Sequence, residues 1–219
     1  MRVNANAPQE PFPMPIVPPE RVGEVVEALR SGKIVSIPTD TVYGLAALAN
    51  APEAVRGLGE LKGRDSPQPV AVLFDDIKDI DPYIRPSNAF IRLSAFWPGP
   101  LTLVVEVRHA SARTFLVTDE GTVGVRQPAD TLARRVIREA GGVLAVTSAN
   151  WTGEPPAMTA EQVAAAFGDS IFVLDGGPRT AQPASTVVDL TCYPPRILRE
   201  GPLTAAELGL AAPEPSGSR

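Results

Sequence analysis

Residues 33–64, KIVSIPTDTVYGLAALANAPEAVRGLGELKGR, gather the side chains that a site for a small polar anion would need. A strand-like apolar run at 34–37 breaks at Pro38, and Thr39, Asp40, Thr41 and Tyr43 follow before Gly44. Open α/β sheets place ligands at the carboxyl ends of their strands, so hydroxyls just past a strand end are well placed to orient anionic oxygens. Asp40 fits a metal or amine contact, or a turn cap. Further on, Lys62 and Arg64 flank Gly63. On a helix the two cations would diverge, but in a turning segment they project to one side, and glycine permits the turn and a close backbone approach. A compact ammonium beside a planar guanidinium suits the oxygens of a polyphosphate. The tripeptide alone is equally at home in a solvated loop.

Three further places carry comparable groups. The apolar run GVLAV leads into Thr147, Ser148 and Asn150, with Gly153 freeing the backbone just beyond. Hydroxyl, amide and backbone N–H groups there can hold phosphate without added positive charge, or can merely satisfy their own loop. Ser185 opens the run STVVDL and Arg199 closes the next one, so antiparallel pairing would bring them near one another. Arg126, in GVRQPAD, is a cation at a strand end just before a helix start at Pro128. Each arginine alone is more often a surface ion-pair residue. The segment WPGPLT reads as a rigid turn feeding a strand, with Trp97 as core packing.

Composition narrows the classes. The chain has 219 residues, 44% hydrophobic and 21% charged, enough for one sizeable domain. No run approaches the ~18 apolar residues of a membrane span, and MRVNANAPQEPFP has no apolar signal core, so a cytoplasmic protein with no membrane partner is expected. One cysteine, Cys192, excludes an internal disulfide and a cysteine zinc cluster. One histidine, His109, makes triad chemistry and histidine-rich metal sites poor hypotheses. The formal charge of −5 argues against a nucleic-acid clamp made of the whole surface. Chemistry must therefore run on cations, hydroxyls, carboxylates and backbone dipoles.

The elements that would position these groups interleave. Periodicity places helices at 20–31, 51–61, 87–96, 129–140 and 159–167, and strands at 34–37, 70–74, 101–107, 122–125, 143–146, 171–174, 186–190 and 196–198. The expected fold is α/β: a single domain with a twisted mixed sheet flanked by helices and a concave polar cleft. Residues 1–17 read as a proline-rich flexible arm, 18–211 as the catalytic domain and 212–219 as a frayed tail.

Taken in order, PTDTVYGL, KGR, WPGPLT, GVR.P, SAN..G.P, STVVDL and ILREG span residues 33–201, and this series resembles the YrdC-type threonylcarbamoyl-AMP synthases of the short, single-domain kind. The resemblance implies ATP as a substrate, with Mg²⁺ carried mainly on its phosphates rather than by protein side chains. L-threonine and bicarbonate would be the other substrates, and the product would pass to downstream tRNA threonylcarbamoyl-transfer proteins. It further implies that Lys62, Arg64, Ser148 and Asn150 form the catalytic and nucleotide-binding cluster. Ser185 and Arg199 would lie on the nucleotide-phosphate side, and Thr39, Thr41, Tyr43 and Arg126 at the threonine and bicarbonate end. Three positions depart from the family habit: Asp65 stands where proline is frequent, Val70 where leucine is common, and Thr152 where serine is usual, which keeps the hydroxyl. Rival readings are a hydrogenase-maturation carbamoyl-adenylate module, disfavoured by the single cysteine, and a catalytically silent paralogue. A third is a non-enzymatic binder of double-stranded RNA or the ribosome, with RNA contact through a local basic face.

Overall fold

The structure is a computed structural model that describes residues 16–63, 70–108, 121–180 and 183–211. In chain order its elements are β1 (Ile16–Val17), α1 (Val22–Arg30), β2 (Val35–Pro38), β3 (Tyr43–Leu48), α2 (Pro52–Leu61) and β4 (Ala71–Phe74). Then come α3 (Asn88–Leu93), β5 (Leu101–Glu106), β6 (Thr122–Arg126), α4 (Thr131–Ala140) and β7 (Val143–Ser148). The last are α5 (Ala160–Phe167), β8 (Phe172–Leu174), β9 (Thr186–Asp189), β10 (Arg196–Arg199) and α6 (Ala205–Leu208).

Local signals account for most boundaries. Val22, Val25, Val26 and Leu29 give α1 one buried stripe, and Gly32 just beyond it takes a left-handed φ of 77° that a side chain would resist. Asp130 caps α4 by accepting the Ala133 N–H at 2.8 Å. Thr159 does the same for α5 through Gln162.

The ten strands join in one mixed sheet, in the order β1-β8-β2-β3-β7-β4-β6-β5-β9-β10. Alternation along the central strands divides the core. Leu144 and Val146 of β7 pack with α1 and α4 on one face, while Ala145 joins Tyr43, Leu45, Leu58 and Val163 under α2 and α5 on the other. A third cluster, under α3 and α6, fills the β4-β6-β5 region around Phe74, Leu101 and Leu103. Large mixed sheet and flanking helices agree with the expected fold class.

Three elements differ from expectation. β3 was not foreseen: YGLAAL is rich in alanine, contains glycine and shows no polar alternation. It is a strand because it is buried on both faces and paired on both edges, Gly44 opposite Ile37 of β2 and Ser148 of β7. Ile16 and Val17, grouped with the proline-rich arm, pair instead with Val173 and Leu174 as a short edge strand. α6 is a single turn fixed by a capping box between Thr204 and Glu207, too short for periodicity to reveal. Arg64 and His109 lie outside the described residues, as do 1–15 of the arm and the tail at 212–219.

Two contacts give testable stability effects. A Cβ built on Gly201 would collide with the backbone of Ala184, Ser185 and Thr186, lying 2.6 Å from the Ser185 carbonyl carbon. Backbone cannot swing away as a side-chain tip can, so Gly201→Ala costs about 2 kcal/mol or more. Urea unfolding reads this as a lowered midpoint at unchanged slope, and an unshifted midpoint would show the close approach is not held in solution. Asp75 receives Nε–H bonds from Arg134 and Arg138 of α4, both at 2.7 Å. Burial pushes its carboxyl up, but the two guanidinium bonds outweigh it and hold the pKa below the ordinary value. A depressed carboxyl contributes stability above its unfolded pKa and loses it as pH falls through the folded one. Asp75→Asn therefore lowers the melting temperature by about 2–4 °C at pH 7, and the gap to the parent closes below about pH 4. A gap independent of pH would assign the effect to packing.

Candidate active site

Lys62 ends α2, and its ammonium is carried inward rather than out to solvent: the residue is 1% exposed. Nζ lies 2.7 Å from Ser148 O, 3.1 Å from Asn150 Oδ1, 3.2 Å from Ser148 Oγ and 3.3 Å from Thr147 Oγ1. Among the described residues, four oxygens from the end of β7 and the turn after it accept from its N–H groups. The turn is built to present them. Ser148 Oγ donates to Asn150 Oδ1 at 2.6 Å, and Asn150 Nδ2 donates to the carbonyls of Trp151 and Glu154 at 2.8 and 2.7 Å. Those two bonds settle which end of the amide faces Lys62. From the other side, the Thr152 N–H and Oγ–H both donate to Lys62 O, at 3.3 and 3.0 Å. Gly63 then turns at φ 66°, where a Cβ would lie 3.7 Å from the Trp151 indole.

The hydroxyl turn adjoins this cluster through Gly44, which pairs with Ser148. Thr39 Oγ donates to Val42 O at 2.7 Å and lies 3.1 Å from Thr41 Oγ. Thr41 Oγ accepts from Arg126 Nη1 at 3.1 Å, and Asp40 accepts from Nη2 at 2.6 Å. Three strands separate β2 from β6 in the sheet order, a span of about 19 Å at ordinary strand spacing. The turn therefore folds back across the face of a strongly coiled sheet to meet Arg126. The Arg126–Asp40 pair is nearly enclosed, with 7% and 14% of the two side chains exposed. Burial lowers the Arg126 pKa, and Asp40 offsets part of that.

WPGPLT does more than feed a strand. Arg126 Nε donates to Gly99 O at 3.0 Å, the Thr186 N–H donates to Pro100 O at 2.9 Å, and Thr102 Oγ lies 2.8 Å from Ser185 Oγ. One short segment thus bridges the Arg126 end to the Ser185 end. Antiparallel pairing of β9 and β10 brings Arg199 onto Ser185, as the spacing suggested: Nη2 donates to Ser185 O at 2.9 Å and to Ser185 Oγ at 3.2 Å. Partial burial, and then the positive charge of Arg126, hold the Arg199 pKa below its ordinary value. Much of the Arg199 side chain stays open to water. Two mutually repelling guanidinium groups beside hydroxyl groups able to donate are a place where an anion is stabilised.

Tyr43 is fully buried, with its hydroxyl accepting the Gly176 N–H at 3.1 Å and donating to Gly177 O at 2.9 Å. Burial raises its pKa, against the Gly176 bond, so the phenol is neutral at neutral pH. Sequence reasoning missed Arg179, which packs its guanidinium 5.8 Å over the Tyr43 ring and donates to Thr39 O at 3.1 Å. The available signal was a cation in the GGPR loop ahead of STVVDL, too common a pattern to single out. Among the residues expected to act, Lys62, Ser148 and Asn150 form one cluster and Thr39, Thr41 and Arg126 a second. Ser185 and Arg199 form a third, and Tyr43 borders the second. Arg64 lies outside the described residues.

The family model Sua5_yciO_yrdC, described as "Telomere recombination", matches residues 27–201. A Mycobacterium tuberculosis protein is 42% identical over 186 residues, covering 84% of this chain and 85% of its own. The threonylcarbamoyl-AMP synthase of Chromohalobacter salexigens is 35% identical over 173 residues, 78% of this chain and 93% of that one. The crystal structure of Pyrococcus abyssi Sua5 complexed with L-threonine superposes with a TM-score of 0.81 at 34% identity. That superposition covers 88% of this chain but 58% of the archaeal one, so this chain spans little more than half of that longer protein. With the matched segment running from within α1 to just past β10, and so enclosing every cluster above, the chain belongs to the Sua5/YciO/YrdC family.

Proposed function

We propose that this protein is an L-threonylcarbamoyladenylate synthase, acting in the cytoplasm to supply tRNA threonylcarbamoyladenosine modification. The observation that carries the reading is the buried ammonium of Lys62 set against Ser148 and Asn150, on a chain whose named relatives are synthases of this kind. The neutral amine of L-threonine adds to bicarbonate, giving the N-carboxylate and water. A carboxylate oxygen of that carbamate then attacks the α-phosphorus of MgATP in line, and pyrophosphate leaves. Carbamate and triphosphate are both anionic, so the protein's task is to neutralise charge and align the reacting oxygens.

Lys62 and Arg64 neutralise the charge that develops on the nucleotide, while Ser148 and Asn150 orient oxygens. Ser185 and Arg199 hold the phosphate end. Thr39, Thr41 and Tyr43 line the threonine end, where Arg126 acts mainly by holding Thr41 and Asp40 and by its field. Mg²⁺ would enter on the phosphates of the nucleotide. The product is a reactive mixed anhydride and goes to a transferase acting on a tRNA adenosine.

The test is pyrophosphate release from MgATP with L-threonine and bicarbonate each added or omitted. Release requires both, and Lys62→Ala, assayed below its melting temperature, lowers its rate by about 10²–10³-fold, about 3–4 kcal/mol of transition-state stabilisation. Release independent of threonine would point to another acceptor. Absence of ATP binding would bring forward the non-enzymatic RNA-binding reading.

A further inference from the structure

The Arg179 guanidinium has five N–H bonds, and the described contacts use all of them. Nε donates to Gly177 O at 3.2 Å, and Nη2 donates to Gly177 O at 3.1 Å and to Gly176 O. Nη1 divides its two between Thr39 O at 3.1 Å and Asp130 Oδ2 at 2.8 Å. The ion pair is sheltered, with 14% and 15% of the two side chains exposed. Asp130 is held in turn, because its other oxygen caps α4. One side chain therefore ties the loop after β8, the hydroxyl turn after β2 and the N-terminus of α4 into a single unit. Its guanidinium lies over the ring of Tyr43, whose hydroxyl closes the same loop. Without Arg179, the turn's position would rest on the β2–β3 pairing at its two ends, its internal hydrogen bonds and its contact with Arg126.

We propose that Arg179, backed by Asp130, is a positioning residue that sets affinity for the amino-acid substrate by pinning the Thr39–Thr41 turn. The proposal rests on the synthase reading above. A guanidinium is required rather than a positive charge alone, since an ammonium has three donors and no fork to span loop, turn and carboxylate together. The turn touches neither Lys62 nor Arg199 through Arg179, so the effect falls on threonine and spares the nucleotide.

Steady-state pyrophosphate release, titrating L-threonine at saturating MgATP and bicarbonate and then MgATP at saturating threonine, separates the two ends. Arg179→Ala raises the KM for threonine by about tenfold or more, while the KM for ATP moves by less than about twofold. Arg179→Lys gives an intermediate rise. Asp130→Asn keeps a good helix cap but loses the charge facing Arg179, so it raises the threonine KM in a protein that stays folded, with a melting-temperature loss of the size expected for Asp75→Asn. That variant decides the matter should Arg179→Ala prove unstable. A threonine KM at the parent value in Asp130→Asn and in a folded Arg179→Ala overturns the proposal, as does an ATP KM that rises in step with it. A parent protein whose release ignores threonine sinks the synthase reading itself, and this proposal with it.

Discussion

An ammonium taken out of water must be solvated by the protein instead, because an isolated buried charge is prohibitively unfavourable. Lys62 meets that constraint with oxygens drawn from the end of β7 and the turn beyond it. Much of the rest of the structure follows from the demand. β7 must end where α2 ends, which requires β3 between β2 and β7 and α2 packed on the sheet face carrying Leu58. The Asn150 amide must point its oxygen inward, and two backbone carbonyls hold it so.

From Lys62 a continuous path runs through Gly44 to the hydroxyl turn, Arg126, Gly99 and Pro100, and on to Ser185 and Arg199. Cations stand along it with different neutralisation. Arg126 is closely matched by Asp40 and Arg179 by Asp130, whereas Arg199 is held by the serine backbone and hydroxyl and feels Arg126 as a like charge. Of the three arginines, Arg199 is thus the least neutralised. A groove of about 350 Å³ beside Phe74, Asp75, Trp97 and Gln127 lies off this path. Of the two aspartates that line it, Asp75 is committed to Arg134 and Arg138.

Strands with β-branched runs and helices with clear stripes were legible in the sequence, as were the residues of all three clusters, since each sat beside a strand end or a glycine. What escaped depends on contacts distant in sequence. β3 lacks β propensity and exists because neighbours pair with both of its edges. Ile16 and Val17 follow a proline-rich segment and become a strand only where β8 offers an edge. Arg179 acquires meaning only when folding brings Thr39, 140 positions away, and Asp130 to it. The bridging role of WPGPLT was hidden likewise, because two of its three bridging groups are main-chain carbonyls that any sequence would supply.

The most direct check on the central claim is a crystal structure of the protein with L-threonine and a non-hydrolysable MgATP analogue. The account predicts the nucleotide phosphates between the Lys62–Ser148–Asn150 cluster and Ser185–Arg199, with threonine against the turn of Thr39 and Thr41. Ligands bound off that path, in the groove beside Asp75 and Trp97 for instance, with Lys62 contacting neither of them, would contradict it.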